Sequence, residues 1–393
     1  MNTRYWERLA NYAALVALGT VVVAAASATW IRFGQDFIAF FTSSRLVLLS
    51  ENPYDYEKTV SIVLQTIGVG GNSPFYYPLW FTFPMLPLAT IPFQAARALW
   101  ILIGLASALI AMKFFAPLLG DHSPSWTRWL VWLYCFCVFG WLTMRTEQVA
   151  FLLLLDLALT LWAIQRGHRN IAAVTLGLLF VKINVTFLPV AAIGLYVWRT
   201  EKRILLGAAL TLAVLFGIAT LVTPNWWSPI LAGRLPNGLT QGLRGFETDG
   251  RRLTTTAADF FLINWGVPEI FVWVGQAMLL IGVCALIYRW RGSLIYSTLA
   301  ATAYGFLITP YAVQYDYALL APAFAWVAVR QRTTNPGRLI FFVLSAAFMA
   351  SVLLWEGPVS DALWIAITMA LLLLSSAPMM HKTTANEQIA PAN

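Results

Sequence analysis

Charge is what this sequence has least of. Asp, Glu, Lys and Arg make up only 11% of its 393 residues, where a soluble globular domain carries about a quarter. That scarcity excludes an ordinary soluble domain. Cysteine is almost missing as well: Cys135, Cys137 and Cys284 all lie inside apolar runs and read as small buried hydrophobes. No disulfide framework and no metal-ligand spacing is present, so no cofactor is expected. Internal repeats are missing too, and with them the paired broken helices expected of many transporters.

What the chain has instead is apolar length. Hydrophobic residues make up 60% of it, and the mean hydropathy is +0.71. Apolar runs at 10–31, 97–117, 126–142, 149–164, 204–222, 271–287, 294–309, 317–329, 339–355 and 362–376 are long enough, or nearly so, to cross ~30 Å of hydrocarbon as helices. Helices satisfy their own backbone groups in lipid. The expectation is an all-α polytopic membrane protein of about twelve crossings, with residues 1–377 as one membrane domain and 378–393 as a polar, disordered cytoplasmic tail. The run at 10–31 is too long, and too poor in small-residue cleavage signals, to read as a removed signal peptide.

A net charge of +8 could suggest nucleic acid, but its placement says otherwise. Thirteen of the 25 Lys and Arg fall in short stretches on one side of the expected topology, among them Arg166, Arg169, Arg199, Lys202 and Arg203. This positive-inside bias puts those ends in the cytoplasm. Loops at about 32–75 and 224–267 are then external. The stretch 170–198 is basic at both ends and has Lys182 near its middle, so it is predicted to be two short helices, rising and returning. Parity between residues 74 and 166 requires one of four apolar segments to be incomplete. The segment 76–91, with Pro78, Pro84 and Pro87, is the one expected to be short.

Eleven of the 17 carboxylates fall on the expected outer face. Carboxylates contribute little to topology, so an acidic external cavity is one reading and longer external loops the other. Asp36 opens FIAFFTSSRLVLL, an amphipathic stretch suited to lying along the interface. It suits either an N-cap or a catalytic base. Arg45, nine residues on, falls on the opposite side of a regular helix and is not its expected partner. Lys182, in LLFVKINVTFLP, is costly in lipid and marks a site unless it snorkels. Asp156, central in FLLLLDLALTLW, needs a partner and is read as a helix–helix clamp. In ITPYAVQYDYALL, Tyr315 and Asp316 sit at an outer helix end.

Four stretches together resemble glycosyltransferase family 87, polyprenyl-phosphate-mannose-dependent mannosyltransferases of the GT-C membrane fold. They are GQDFIAFFTSSRLVLLSENPYD, FYYPLWFTFPMLPLATIPFQAARALW, TEQVAFLLLLDLALTLWAIQRGHRNIAAVTLGLLFVKINVTFLP and TPYAVQYDYALLAPA. The resemblance implies that Asp36 matches the family's catalytic aspartate, in a first external loop carrying a juxtamembrane helix, and that Lys182 matches the lysine of its short-helix pair. The family's Gly-Gln pair stands here as Glu147-Gln148, a departure. Many members carry histidines where this chain has Tyr315 and Asp316.

The implied activity is transfer of a hexose, mannose first, from a polyprenyl-phosphate donor to a hydroxyl of a lipid or glycan acceptor, with inversion. Membrane lipids are the surrounding partner, and the expected place is the periplasmic face of a bacterial inner membrane. Lys182, Gln148, Glu147, Tyr315, Asp316, Arg244, Arg251 and Arg252 are the candidates for donor and phosphate binding. The rival reading is a transporter or flippase for a lipid-linked sugar, with Asp156 and Lys182 lining its path.

Overall fold

A computed structural model of the chain describes residues 35–68, 75–118, 140, 143–144, 146–227, 246–248, 251–253, 268–289, 291–308 and 314–330. The expected crossings at 10–31, 339–355 and 362–376, nearly all of 126–142, the tail at 378–393 and Arg244 lie outside the described residues.

The first described helix, α1 (Gln35–Leu48), departs from its expected setting. A helix lying along an interface would bury one side, yet Phe37 to Ser44 are buried without interruption. The reason is aromatic packing from the following segments. Phe40 meets the rings of Tyr77 and Phe81 edge-on, each at 5.0 Å, and Phe37 stacks on Trp100 at 6.0 Å. Arg45, the next residue, is exposed, with its guanidinium over the Phe41 ring. A second helix, α2 (Tyr56–Ile67), is capped by Asp55, whose carboxylate accepts from the Lys58 amide, and closes on Gly68 in the left-handed region.

The proline-rich segment is short, as its prolines predict. A 3-10 helix (Leu79–Met85) with Pro84 inside it runs into a single turn, α3 (Leu86–Ala89). Each proline removes an amide donor and crowds the turn before it. After this come α4 (Phe93–Leu118) and α5 (Ala150–Gln165), which pack side by side.

The expected rise and return around Lys182 is present. Helix α6 (Arg169–Leu178) leads through a 3-10 turn (Leu179–Lys182) into α7 (Ile183–Thr200), and α8 (Arg203–Val222) follows. By length and composition the 32-residue run Arg169–Thr200 could be one membrane-crossing helix. Straight, it would be ~48 Å long. Instead its ends meet, because the Arg169 guanidinium lies 2.7 Å from the Glu201 carboxylate. The chain therefore folds back at Leu179–Lys182. Helix α8 then runs parallel to α6, with Gly207 against Ala173 and Gly177 against Thr211.

Helix α8 leaves Leu206 and Leu221 72% and 84% exposed, an apolar face that suits lipid and not water. Phe93–Leu118 and Arg203–Val222 are each long and apolar enough to cross a membrane. Helix α9 (Glu269–Arg289), α10 (Leu294–Ile308, packed on α7), a 3-10 helix (Gln314–Leu320) and α11 (Ala321–Arg330) complete the described helices. The all-α expectation needs one amendment. Phe246–Thr248 and Arg251–Leu253 form a small antiparallel hairpin, β1 and β2, that pairs Glu247 with Arg252 and Thr248 with Arg251.

Candidate active site

Four of the predicted residues converge at the end of the bundle opposite the Arg169–Glu201 pair. Asp36 lies in the first turn of α1, Gln148 just before α5, Lys182 at the fold-back turn, and Asp316 in the 3-10 helix Gln314–Leu320. Each arrives on a different element.

Gln148 links them. Its amide nitrogen donates to the Asp36 carboxylate. Its amide oxygen accepts from the Tyr77 hydroxyl at 2.8 Å and lies 3.5 Å from the Lys182 ammonium. The amide orientation follows from the partners, since a carboxylate can only accept and an ammonium can only donate. Lys182 in turn donates to Asp316 at 2.6 Å, and both side chains are buried. Tyr77 is itself set by Tyr54, whose hydroxyl donates to the Tyr77 carbonyl at 2.7 Å.

Burial raises the Asp36 carboxyl above its ordinary range. The hydrogen bond from Gln148 and the Lys182 charge pull it back down, while the Asp316 charge pushes it up. A carboxylate raised but still held by donors is suited to taking a proton. Among the described residues, no group of three or more His, Cys, Asp or Glu could hold a metal ion.

Glu147 adjoins this chain but faces elsewhere. Its carboxylate is buried against Arg97, whose Nε donates to Oε1. Burial pushes Glu147 up to about 7 despite that arginine. Tyr315 shares the 3-10 helix of Asp316, and Arg251 and Arg252 lie on β2; their side chains lie outside the described set, as does all of Arg244. No hydrogen-bond or ion-pair partner of the Asp156 carboxylate is found among the described residues, so the expected clamp is not seen there. The α5–α6 contact is made one turn later, where the Thr160 and Thr175 hydroxyls are 2.8 Å apart.

Two site residues were not singled out from sequence. Tyr77 lies within an aromatic cluster typical of a membrane boundary and carries no distinguishing mark. Arg97 did offer a signal: it is a charge at the start of an apolar helix, which is costly without a partner.

A family model described as glycosyltransferase family 87 matches residues 75–313, well over half of the chain. The match includes Gln148 and Lys182, begins after Asp36 and ends just before Asp316. No curated protein and no solved structure matches the chain.

Proposed function

The chain belongs to glycosyltransferase family 87 and is a membrane glycosyltransferase, and we propose that it moves a hexose from a polyprenyl-phosphate donor to a hydroxyl of a lipid or glycan acceptor, with inversion. Mannose is the sugar to which the family resemblance points. The observation that carries this reading is the single amide of Gln148, which ties a carboxylate to an ammonium: Asp36 at its nitrogen, Lys182 at its oxygen.

In this mechanism the acceptor hydroxyl gives its proton to Asp36 as its oxygen attacks the anomeric carbon. The bond between that carbon and the phosphate oxygen breaks, and the polyprenyl phosphate leaves with the electron pair. One displacement inverts the anomeric centre. Negative charge gathers on the departing phosphate, where a fixed cation is worth most. Lys182 supplies it, oriented by Asp316. The exposed apolar faces of the helices suit the prenyl chain and the surrounding lipid. Basic residues gather at the other end of the bundle, beside Arg169 and Glu201, so the positive-inside rule favours an external, periplasmic site.

Asp36→Asn tests the reading. Asparagine keeps the size and can still accept a hydrogen bond, but it cannot take a proton. Transfer from a polyprenyl-phosphate mannose by detergent-purified protein is expected to fall by about 10²–10⁴-fold in Asp36→Asn and Asp36→Ala alike, with both variants folded. An active Asp36→Asn protein ends the mechanism.

A further inference from the structure

The backbone at residue 147 is in an unusual state for its residue type. Glu147 has φ +59°, the left-handed region where a Cβ crowds the following carbonyl. Its hydrogen bonds explain why the chain needs that conformation. The Glu147 amide donates to the Met144 carbonyl at 3.2 Å, and the Gln148 amide to the Thr143 carbonyl at 3.0 Å. These two bonds, spanning three and five residues, close a helix end in the Schellman pattern, with Glu147 at the position usually given to glycine.

Among the described residues, Ser50 and Asn225 are the other non-glycines with positive φ, and both are exposed in turns. Glu147 is the buried case. It is gripped twice from one face of α4. Arg97 holds the side-chain carboxylate, and Trp100, one turn on, donates from its indole nitrogen to the Glu147 carbonyl at 2.7 Å. Both anchors are buried. The next residue is Gln148, whose amide reaches Asp36.

We propose that Arg97 and Glu147 are positioning residues, whose buried ion pair locks residue 147 in the left-handed conformation and so aims Gln148 at the Asp36 carboxylate. A glycine would adopt that conformation unaided. Here a glutamate does so because an arginine 50 residues away fixes its far end. The ion pair is thus a directional device for the neighbouring residue. The catalytic consequence rests on Asp36 being the base.

The test compares three double variants of the full-length protein in detergent, all lacking the ion pair. Arg97→Leu with Glu147→Gly accepts positive φ freely, Arg97→Leu with Glu147→Asn accepts it well, and Arg97→Leu with Glu147→Ala resists it. The readout is the infrared titration of the Asp36 carboxyl, taken as a difference against the same protein bearing Asp36→Asn, with no substrate present. The Gly and Asn variants are expected to titrate as the parent does. The Ala variant is expected to titrate at higher pH, because Gln148 no longer stabilises the ionised carboxylate, and its transfer rate to drop on the order of 10²-fold.

Identical titrations in the Gly and Ala variants overturn the proposal, as does a raised midpoint in the Asn variant. Gln148→Leu separates this from the catalytic reading: its Asp36 midpoint must rise. Full transfer activity in Gln148→Leu would sink the catalytic consequence, while the titrations of the double variants would still judge the positioning itself.

Discussion

Helix α5 is bracketed by the same backbone motif, filled differently at each end. At its C-terminus the Gly167 amide donates to Ile164 and the His168 amide to Ala163, at 3.2 and 2.8 Å, with Gly167 at φ +74°. At the turn before it, Glu147 and Gln148 repeat that pair of bonds with Thr143 and Met144 as acceptors. Gly167 is exposed, and a Cβ built on it would meet nothing within 4 Å. Glu147 is buried and clamped. The first turn only has to reverse the chain; the second must reverse it and also direct a side chain. Glycine suffices for the former. The latter gains a fixed direction from a side-chain anchor, and it takes on a buried charge pair in return.

Breaking the site end should therefore have large effects, beginning with Lys182 and Asp316. Lys182→Met leaves a buried carboxylate without its cation, and an expected loss of about 3–5 kcal/mol in unfolding free energy follows. Transfer activity should be lost with it. The double variant Lys182→Met with Asp316→Leu removes both charges and is expected to recover most of that stability while recovering no activity. Chemical denaturation and transfer assays on the same samples check both halves. Restored activity in the double variant would reduce the pair to packing.

The pH dependence sharpens the comparison, because only the site end carries a raised carboxyl into the chemistry. Asp36 must be ionised to act as a base, so transfer should fall as pH drops through its raised folded value. The acidic limb should then lie above the ordinary aspartate range. Stability should move the other way. The folded state holds the Asp36 proton to higher pH than the unfolded state, so across the window between the two values this group's contribution declines as pH rises. Asp36→Asn should abolish that part of the stability profile. An acidic limb at the ordinary carboxylate value in the parent would contradict a buried base.

Much of this architecture was legible in the sequence, and the misses have a common cause. Apolar runs predicted the helices α4, α5 and α8. Three prolines marked 76–91 as broken, and basic residues at both ends of 170–198 predicted a fold-back with Lys182 at its tip. Each of these signals is local. The pairings are not: Gln148 meets Asp36 across 112 positions and Lys182 meets Asp316 across 134. Tyr77 and Arg97 enter the site only through such contacts. The amphipathic pattern of α1 misled for the same reason, since the aromatic rings that pack on Phe37, Phe40 and Phe41 come from residues 77–100. Asp156 is expected to need a partner as a central carboxylate; among the described residues the α5–α6 contact is made by Thr160 and Thr175, which nothing in one helix announces.

The smallest expected effect tests the other end of α5. Gly167→Ala places a Cβ on a left-handed backbone with open space around it, so the only penalty is conformational, about 1 kcal/mol. The turn lies at the end opposite the site and aims nothing into it. Transfer rate and the Asp36 titration should both stay at parental values, in contrast to the Arg97→Leu, Glu147→Ala protein, which meets the same backbone demand with the same alanine side chain. If Gly167→Ala also shifted the Asp36 titration, the two ends of α5 would be coupled through the helix, and the difference between them would not be one of local aim. If it left both unchanged while losing that modest stability, the same strain would be shown to matter for chemistry only where the next residue has a target.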